Sequence, residues 1–468
     1  MSMSFSPCGS DFASSACPPV LGLTKGESPK AMKSGSKANA KLTLISLYTG
    51  AGGLDLGFEA AGFSTKVAVE LDGNARATLR DNRPTWKQPE EGDALKLNAS
   101  DLLELAGLER RQVDALIGGP PCQPFSKSAF WAAGTTRRLD DPRARTLGVM
   151  LDLAEAILPR VLVIENVRGI AYRQKDEAMK LVEERLAHIN KLHGTSYTTT
   201  ICYLQATDFG VPQIRERAFF ISFRDGERFE PPEPITGEGR PLPVATAWDA
   251  IGDLVPDGEL ASKLVTRGKW AKLLPSIPEG QNYLWHTDRG HGLPLFGWRT
   301  RFWSFLLKLA KDRPAWTIQA DPGPATGPFH WESRLLSIAE MARLQSFPPG
   351  YRFTGDYRAA RRQIGNAVPP ALGEAVARRI AATLLKKRYS PKLTLAVASR
   401  GKPPAATAPT EVPAEFRHMA GRHASHPGTG KGPAALLRPV PDESTAERRS
   451  EDSDSHTINM GNEQRAAA

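Results

Sequence analysis

The sequence predicts an α/β fold in which a parallel sheet is wrapped by helices on both faces and carries a small irregular domain. Residues 41–225 alternate short apolar strands with amphipathic helical stretches, a pattern typical of such sheets. Residues 226–330 are rich in proline and glycine instead, and seven of the nine tryptophans lie between Trp248 and Trp331. With 468 residues, the chain can hold both domains and additional tails.

The strands and helices follow from hydrophobic periodicity and from helix-start signals. The predicted strands are Leu42–Tyr48, Lys66–Glu70, Val113–Ile117, Val161–Ile164, Thr198–Leu204 and Ala218–Phe223. The predicted helices are Leu147–Leu158, Glu177–Ile189, Ile338–Gln345 and Ala371–Leu385. Ser337 and Glu340 form a capping-box pattern before the third helix, and Pro369-Pro370 sets the start of the fourth.

Composition divides the chain further. Residues 1–40 are rich in Ser, Gly and Lys and predict a disordered arm, and residues 389–468 predict a disordered tail. Residues 331–388 return to helical character and are expected to close the domain that residues 41–225 begin. The four cysteines show no paired metal spacing, and no apolar run approaches the length of a membrane span, so we expect a cytoplasmic protein that does not contact a membrane.

The formal net charge of +10 favours a polyanionic partner, although charge alone is weak evidence. Ten Lys/Arg residues stand against three acids between Ala261 and Arg313. Cations interleaved with aromatic residues indicate a small module that reads nucleic acid, with aromatic side chains inside and cations outside.

A glycine-rich turn after the first strand predicts a cofactor site. Gly50 and Gly53 would let a ligand approach the backbone closely, and Glu70, at the end of the next strand, could accept hydrogen bonds from ribose hydroxyls. A dinucleotide fingerprint would place a third glycine where Asp55 stands, which argues against a pyrophosphate ligand and for a smaller adenosine-bearing cofactor. Asp93 could accept a hydrogen bond from an adenine amino group.

A nucleophile, an acid and two cations occur at the ends of other predicted strands. Cys122 follows the strand Val113–Ile117 on a proline-stiffened loop, Glu165 ends the strand Val161–Ile164, and Arg215 and Arg217 precede the last strand. Any one of these residues alone would be read more simply as an ordinary loop or surface residue. Their recurrence in one structural context favours nucleophilic catalysis.

Together these segments resemble the DNA (cytosine-5-)-methyltransferases over roughly residues 42–388. The matching blocks are residues 48–53, Glu70, Gly92-Asp93, Gly119–Gln123, Glu165–Val167, Gln213–Arg217, Arg343–Pro348 and Gln363–Pro370. The resemblance implies a Rossmann-like S-adenosylmethionine-dependent methyltransferase sheet with a small target-recognition domain at 226–330. It also implies methyl transfer from S-adenosylmethionine to carbon 5 of a cytosine flipped out of double-stranded DNA.

The resemblance implies roles for individual residues. Cys122 would attack carbon 6 of the base, Glu165 would hold or donate a proton at ring nitrogen 3, and Arg217, less directly Arg215, would bind the carbonyl oxygen. The cofactor would be surrounded by Tyr48, Gly50, Gly53, Glu70, Leu71, Asp93, Ala94, Pro121, Leu147, Asn366 and Val368. The sequence departs from the family at Ser46, where an acid is usual, and at Tyr48, where phenylalanine is usual. No metal is expected.

Within 226–330, five residues could reach base edges: Arg267, Asn282, Arg289, Arg299 and Arg301. The histidines of this region lack cysteine partners and are not expected to bind zinc. The loop after Cys122, from Phe125 to Trp131, could close over the flipped base.

Other functions are weighed against this one. The same chemistry could act on RNA, but the Cys-Phe-Thr tripeptide of the tRNA-methylating relatives is absent. A catalytically silent DNA-binding protein is disfavoured by the retained Cys122, Glu165 and Arg217, and a nicotinamide dehydrogenase by Asp55. We expect a monomer associated with the nucleoid that protects host DNA against a cognate restriction endonuclease, although an orphan regulatory methylase would have the same sequence features.

Overall fold

The structure is a computed structural model that describes residues 41–121, 145–167, 177–297, 301–421 and 423. Its centre is a six-stranded sheet. The strands are β1 (Leu42–Leu47), β2 (Phe63–Val69), β3 (Ala115–Gly118), β4 (Val161–Asn166), β5 (Thr198–Gln205) and β6 (Glu216–Phe223). Each of the six predicted strands is therefore present, with its ends moved by a few residues.

The strand order is β2-β1-β3-β4-β6-β5, and the sheet is mixed rather than parallel. β1 pairs in parallel with β2 and β3, and β3 with β4, but β6 pairs antiparallel with both β4 and β5. The prediction of a parallel sheet is wrong at this edge. A parallel connection needs a crossover of about a dozen residues or more, usually through a helix. Only a single 3₁₀ turn, Ala206–Phe209, lies between β5 and β6, so the chain reverses direction.

Both faces of the sheet are covered, as predicted. The described helices longer than one or two turns are α1 (Gly53–Ala60), α2 (Gly73–Asn82), α3 (Ala99–Ala106), α4 (Arg145–Ile157), α5 (Glu177–His193), α9 (Tyr357–Asn366) and α10 (Pro370–Leu385). Leu44 packs with α1 and α10 on one face, whereas its neighbour Ile45 packs with α3, α4 and α5 on the other. Alternate side chains of a strand point to opposite faces, which explains the division.

Shorter helices complete the fold: α6 (Ala247–Ile251), α7 (Gly258–Lys263), α8 (Ile338–Leu344) and α11 (Ala414–Arg417). The capping box predicted before α8 is present, with Ser337 and Glu340 exchanging side-chain and backbone hydrogen bonds. Helix α9 was not predicted, and Asn366, one of the residues expected around the cofactor, is its last residue. The several arginines of this segment make its sequence look polar throughout. Two alanines and Ile364 are nevertheless buried against the core.

A second, smaller core lies within the residue range predicted to read DNA. It is built mainly from side chains of residues 273–329 and is largely aromatic, with Tyr283, Phe296 and Phe305 making edge-to-face contacts. Aromatic residues therefore do lie inside, but two cations do not lie outside. Lys308 and Lys311 are buried, and the Lys308 ammonium donates to the Ile277 carbonyl at 2.9 Å. Burial lowers the pKa of Lys308 to about 8.

Part of the tail predicted to be disordered is packed. Residues 392–421 contribute Leu393 and Leu395 to the sheet's core and Phe416 to the small aromatic core. The prediction of disorder is wrong there because a polar, proline-rich segment can dock on surfaces already formed by other elements without burying a core of its own. Residues 389–391 are described as well, whereas residue 422, residues 424–468 and the predicted N-terminal arm lie outside the described residues. In the part of the chain that is described, we find no helix with the length and apolarity to cross a membrane.

Candidate active site

The glycine-rich turn lies at the carboxyl end of β1, next to the end of β2. The backbone is left-handed at Tyr48 and Gly50, with φ values of 54° and 57°. The Gly50 amide donates to Glu70 at 2.7 Å, and the Asp72 amide donates to the other oxygen of the same carboxylate at 2.7 Å. Glu70 is thus held at the mouth of the turn, where a carboxylate can accept from ligand hydroxyls. Burial raises its pKa, and these backbone amides partly oppose the shift.

Gly53 marks a close approach of two distant segments. A Cβ atom at this position would collide with the carbonyl oxygen of Val368 and touch the side chain of Ala367. Both residues lie between α9 and α10, more than 300 positions later in the sequence. By contrast, a Cβ at Gly50 would meet nothing within 4 Å, so the space in front of this turn is open. An open cradle at a strand-to-helix turn fits a nucleoside-bearing ligand.

The other residues predicted around the cofactor differ in their contacts and in their exposure. Asp93 lies close enough to Tyr48 for its charge to add to the burial that raises the Tyr48 pKa, and the Tyr48 hydroxyl donates to the Thr146 carbonyl at 2.8 Å. Leu147 and Ala94 are buried, whereas Pro121 and Asn366 are exposed. Leu71 is 68% exposed, an apolar surface that a purine ring could cover.

Glu165 and Arg217 form an ion pair at the edge between β4 and β6. The Arg217 Nε lies 2.7 Å from Glu165 Oε1, and both side chains are almost entirely buried. Because β6 is antiparallel to β4, its first residues lie beside the last residues of β4, which brings the two side chains together. Burial raises the Glu165 pKa, and the positive charges of Arg217 and Arg215 oppose the shift.

The loop that leads to Cys122 begins against this carboxyl. A Cβ at Gly119 would lie 2.9 Å from Glu165 Oε2, and the side-chain amide of Asn166 donates to the Pro120 carbonyl at 3.2 Å. Cys122 itself, and the loop from Phe125 to Trp131 predicted to be a lid, lie outside the described residues. The described residues Gly119 and Pro120 lie against the end of β4, and Pro120 is two residues before the cysteine.

Arg215 is directed differently from Arg217. It is buried, and its guanidinium donates to the Gly365 carbonyl at 2.7 Å near the end of α9. Nearby, the side-chain oxygen of Gln213 accepts from the Ile318 amide at 3.1 Å, and its amide group donates to the Leu344 carbonyl at 3.3 Å. This block thus ties the sheet to the closing helices and to residues 315–318. The bracing role of Gln213 was missed, since no local pattern shows which distant carbonyls it meets.

Asp55 is a second buried carboxyl in this region. Neither of its oxygens has a hydrogen-bond partner at bonding geometry in the described part of the chain. Burial raises its pKa to about 7, partly opposed by the nearby Ser46 hydroxyl. The sequence marked Asp55 only as the residue that replaces a dinucleotide-type glycine.

The residues predicted to read bases are not equally available. Arg267, Arg289 and Arg301 are exposed, whereas Arg299 lies outside the described residues. Asn282 is buried, caps the turn Tyr283–His286 and donates to the Trp303 carbonyl, so the prediction that it could reach a base edge is wrong.

In the same region, one histidine has both ring nitrogens occupied, and two aromatic side chains are exposed. His286 uses both ring nitrogens within the protein, on Ser276 and on the Leu293 carbonyl. Phe302 is 87% exposed and Trp303 is 52% exposed, and the sequence did not single out either residue.

Comparisons with known proteins agree with this geometry. The sequence profile of the family described as C-5 cytosine-specific DNA methylase matches residues 42–382. The type II methyltransferase M.SacI of Streptomyces achromogenes is 39% identical over 373 residues, which cover 73% of this chain and 93% of that protein. The type II methyltransferase M.FnuDI of Fusobacterium nucleatum is 31% identical, with coverage of 74% and 96%.

A solved structure shows the same fold. The crystal structure of a prophage-encoded protein of E. coli superimposes with a TM-score of 0.53 at 22% identity, covering 74% of this chain and all of the other. With both sequence comparisons in agreement, the chain belongs to the C-5 cytosine-specific DNA methylase family and is a DNA cytosine-5-methyltransferase that uses S-adenosylmethionine as its methyl donor.

Proposed function

We propose that Cys122 is the nucleophile of the reaction and that Glu165 is its proton partner. The observation that carries the proposal is the Glu165 carboxyl, which is buried, is held by Arg217 at 2.7 Å, and lies in close approach to Gly119 at the start of the cysteine loop; burial raises its pKa. Carbon 5 of cytosine is a weak nucleophile. Addition of the Cys122 thiolate to carbon 6 makes carbon 5 enamine-like and electron-rich.

Glu165 controls the charge that this addition creates. As the new carbon–sulfur bond forms, electron density moves to ring nitrogen 3, and a proton held by Glu165 neutralises it. The cofactor supplies the electrophilic methyl group. Loss of the proton from carbon 5 then restores the double bond and releases the thiolate.

Arg217 positions both the Glu165 carboxyl and the flipped cytosine. Its guanidinium holds Glu165 at 2.7 Å and leaves further N–H groups on the same planar fork, which are suited to the cytosine carbonyl oxygen. Arg215 acts less directly, because its guanidinium is anchored on the Gly365 carbonyl.

The cofactor is held, in this proposal, around the glycine turn. Glu70 accepts from the ribose hydroxyls and Asp93 from the adenine amino group, while Leu71 covers the purine face. The remaining contacts come from Tyr48, Gly50, Gly53, Ala94, Pro121, Leu147, Asn366 and Val368. The open space before Gly50 and the position of Glu70 support this assignment.

Residues 226–330 form the target-recognition domain, between the first catalytic segment (41–225) and the closing segment (331–388). The separate aromatic core and the exposed Arg267, Arg289 and Arg301 support this division. The two sequence relatives described above are named type II methyltransferases. We infer that this enzyme acts as a monomer in the nucleoid and protects host DNA against a cognate restriction endonuclease.

Covalent trapping tests the assignment of the nucleophile. Duplex DNA containing 5-fluorocytosine at the methylated position should become joined to the wild-type protein when S-adenosylmethionine is present. Fluorine cannot leave carbon 5 as the proton does, so the bond between the cysteine sulfur and carbon 6 is not broken. Peptide mapping should place the adduct on Cys122, and Cys122→Ser should form none. Bisulfite sequencing of DNA from cells that express each protein identifies the target sequence for the oligonucleotide. An adduct on another residue would contradict the proposal.

A further inference from the structure

Residues 392–421, called the strap below, cross from the catalytic sheet to the small aromatic core. The strap follows α10 and lies beyond residue 382, where the match to the family ends. It contacts three regions of the protein: the catalytic sheet together with α10, then α6, and finally the small aromatic core.

The first contact explains a buried charge in α10. Glu374 is fully buried, and its carboxylate accepts from the Thr394 amide at 2.8 and 2.9 Å and from the Leu395 amide at 2.8 Å. The Arg378 guanidinium completes the set at 2.7 Å. A buried carboxylate is costly unless it is paired and hydrogen-bonded. Since the strap supplies backbone donors to Glu374, the position of the strap is built into the core of the catalytic domain.

The strap next packs on the turn before the catalytic arginines. The Val397 amide donates to the Gly210 carbonyl at 2.9 Å. Gly210 has a φ of 73°, and a Cβ there would lie 2.6 Å from the Ala396 Cβ. Only two residues separate Gly210 from Gln213, so the strap is anchored close to the block that carries Arg215 and Arg217.

The second contact is with α6, at the start of the recognition range. The Arg400 amide donates to Asp249 Oδ1 at 2.7 Å, and its guanidinium donates to the Asp249 carbonyl at 2.7 Å. The same guanidinium lies 2.9 Å from Asp253 Oδ1, and Arg343 of α8 lies 3.0 Å from the other oxygen. Arg400 therefore fixes the strap on α6 and on Asp253, the acid that Arg343 of α8 also contacts.

The third contact is with the small aromatic core. Phe416 is buried and stacks on Trp270, with ring centroids 5.8 Å apart and planes inclined by 17°. The Thr410 amide donates to the Pro275 carbonyl at 3.1 Å, and the Gly421 amide to the Pro294 carbonyl at 3.3 Å. Between Arg400 and Phe416, most residues are exposed.

We propose that the strap holds the recognition domain in a fixed position over the catalytic domain, and so couples sequence recognition to methyl transfer. This inference rests on the proposed role of residues 226–330 in reading DNA. Inter-domain interfaces within a chain normally permit relative motion unless the contact is extensive. A segment anchored at Glu374, Asp249 and Trp270 restricts that motion without touching the reacting atoms.

Cutting the strap in the folded protein tests the proposal directly. A specific-protease site inserted after Ala405 lies in the exposed stretch between the second and third contacts. The uncut protein is then its own control, and both halves of the strap remain anchored. After cleavage, we expect the KM for cognate DNA to rise about fivefold or more, the lower end of typical coupling between sites, with cofactor affinity and kcat changed less than about twofold.

Amide hydrogen exchange gives a readout that does not depend on activity. Cleavage should speed exchange in residues 273–296 and leave β1, β3 and β4 unchanged. Unchanged exchange in residues 273–296 would overturn the strap proposal, even if the enzyme is active. An uncut protein that methylates no cytosine in duplex DNA would instead overturn the proposed function.

A pair of substitutions separates position from stability. Phe416→Ala removes the ring that stacks on Trp270, whereas Phe416→Leu keeps most of the apolar volume. We expect the alanine variant to show the raised KM and the faster exchange, and the leucine variant to stay close to the wild type. If Phe416→Ala lowers the melting temperature but leaves the KM for cognate DNA and the discrimination against altered targets unchanged, the strap only stabilises the fold and the proposal fails.

Discussion

The catalytic sheet and the small aromatic core are held together in different ways. In the sheet, Glu70 and Glu165 occupy strand ends, and the pairing of neighbouring strands sets where their side chains lie. The small core has few regular elements in its described part, and it is held together by aromatic contacts and by backbone groups bonded to Asn282, His286 and Lys308. The carboxyls of the proposed active site thus lie on a regular frame, whereas the range proposed to read DNA is built around an irregular core.

This difference explains what each region can tolerate. A strand end is fixed by many repeated backbone bonds, so a changed side chain alters chemistry before it alters the fold. An irregular core depends on individual side chains, so a changed residue there alters the fold first. The following substitutions test this contrast, in order of decreasing expected effect.

The largest effect is expected from Glu165→Gln. The amide has nearly the same shape but cannot deliver a proton, so kcat should fall by about 10²–10⁴, the usual contribution of a positioned acid or base. Steady-state methylation assays with tritiated cofactor measure this. Glu184→Gln, on the exposed face of α5, is the matched control and should leave kcat unchanged. A loss of stability comparable to the loss of activity would show that Glu165 is mainly structural.

In the small aromatic core, Phe296→Ala should mainly lower stability, whereas Glu165→Gln should mainly lower activity. Phe296 is buried against Tyr283 and Phe305, and truncating such a ring typically lowers the free energy of unfolding by about 3–5 kcal/mol. Denaturant titration should show this loss. The exposed Phe302→Ala is the control, with a change within about 0.5 kcal/mol. Equal effects of the two substitutions would contradict the assignment of the core.

Gly53→Ala tests the approach of the closing segment to the glycine turn. The added methyl group would collide with the Val368 carbonyl, and overpacking of this kind costs about 1–3 kcal/mol. We expect weaker cofactor binding by calorimetry together with a lower melting temperature. Gly148→Ala, at the fourth residue of α4 with nothing within 4 Å of the new Cβ, should instead stabilise the protein by up to about 1 kcal/mol. Wild-type cofactor affinity in Gly53→Ala would argue against a role for this turn.

Asp55→Asn tests the buried carboxyl through its pH dependence. The folded-state pKa of about 7 lies above the ordinary value of 3.8. Between these two pH values, the folded protein therefore carries a proton on Asp55 that the unfolded chain has lost. Wild-type stability from this group is therefore fully present below pH 4 and is lost as the pH rises toward 7, by about 1–4 kcal/mol. The asparagine variant lacks this loss.

The free energy of unfolding of Asp55→Asn, relative to the wild type, should therefore increase between pH 5 and 7. A difference that does not depend on pH would show that Asp55 titrates normally.

The sequence was informative wherever a local pattern determines structure. Strand periodicity located all six strands, and the capping box located α8. It failed where distant segments decide the outcome. The short turn between β5 and β6 reverses β6, Lys308 turns inward to a carbonyl 31 residues away, and Asn282 is used as a cap.

The same limit applies to the site. The strand-end positions of Glu70 and Glu165 followed from the sequence, and so did the cation that turned out to pair with Glu165, Arg217. The anchoring of Arg215 on Gly365 did not, because it depends on a partner 150 positions away. Residues 392–421 looked disordered for the same reason, since their partners lie on surfaces made by other segments.

The strap has a consequence for engineering new target specificity. Exchanging residues 226–330 between relatives would transplant the aromatic core but leave behind the segment that carries Phe416. A chimera that takes both residues 226–330 and the strap from the same donor should keep the donor's sequence preference and turnover. A chimera that takes residues 226–330 from the donor but keeps the recipient's strap should methylate poorly, even though every graft boundary lies in a loop.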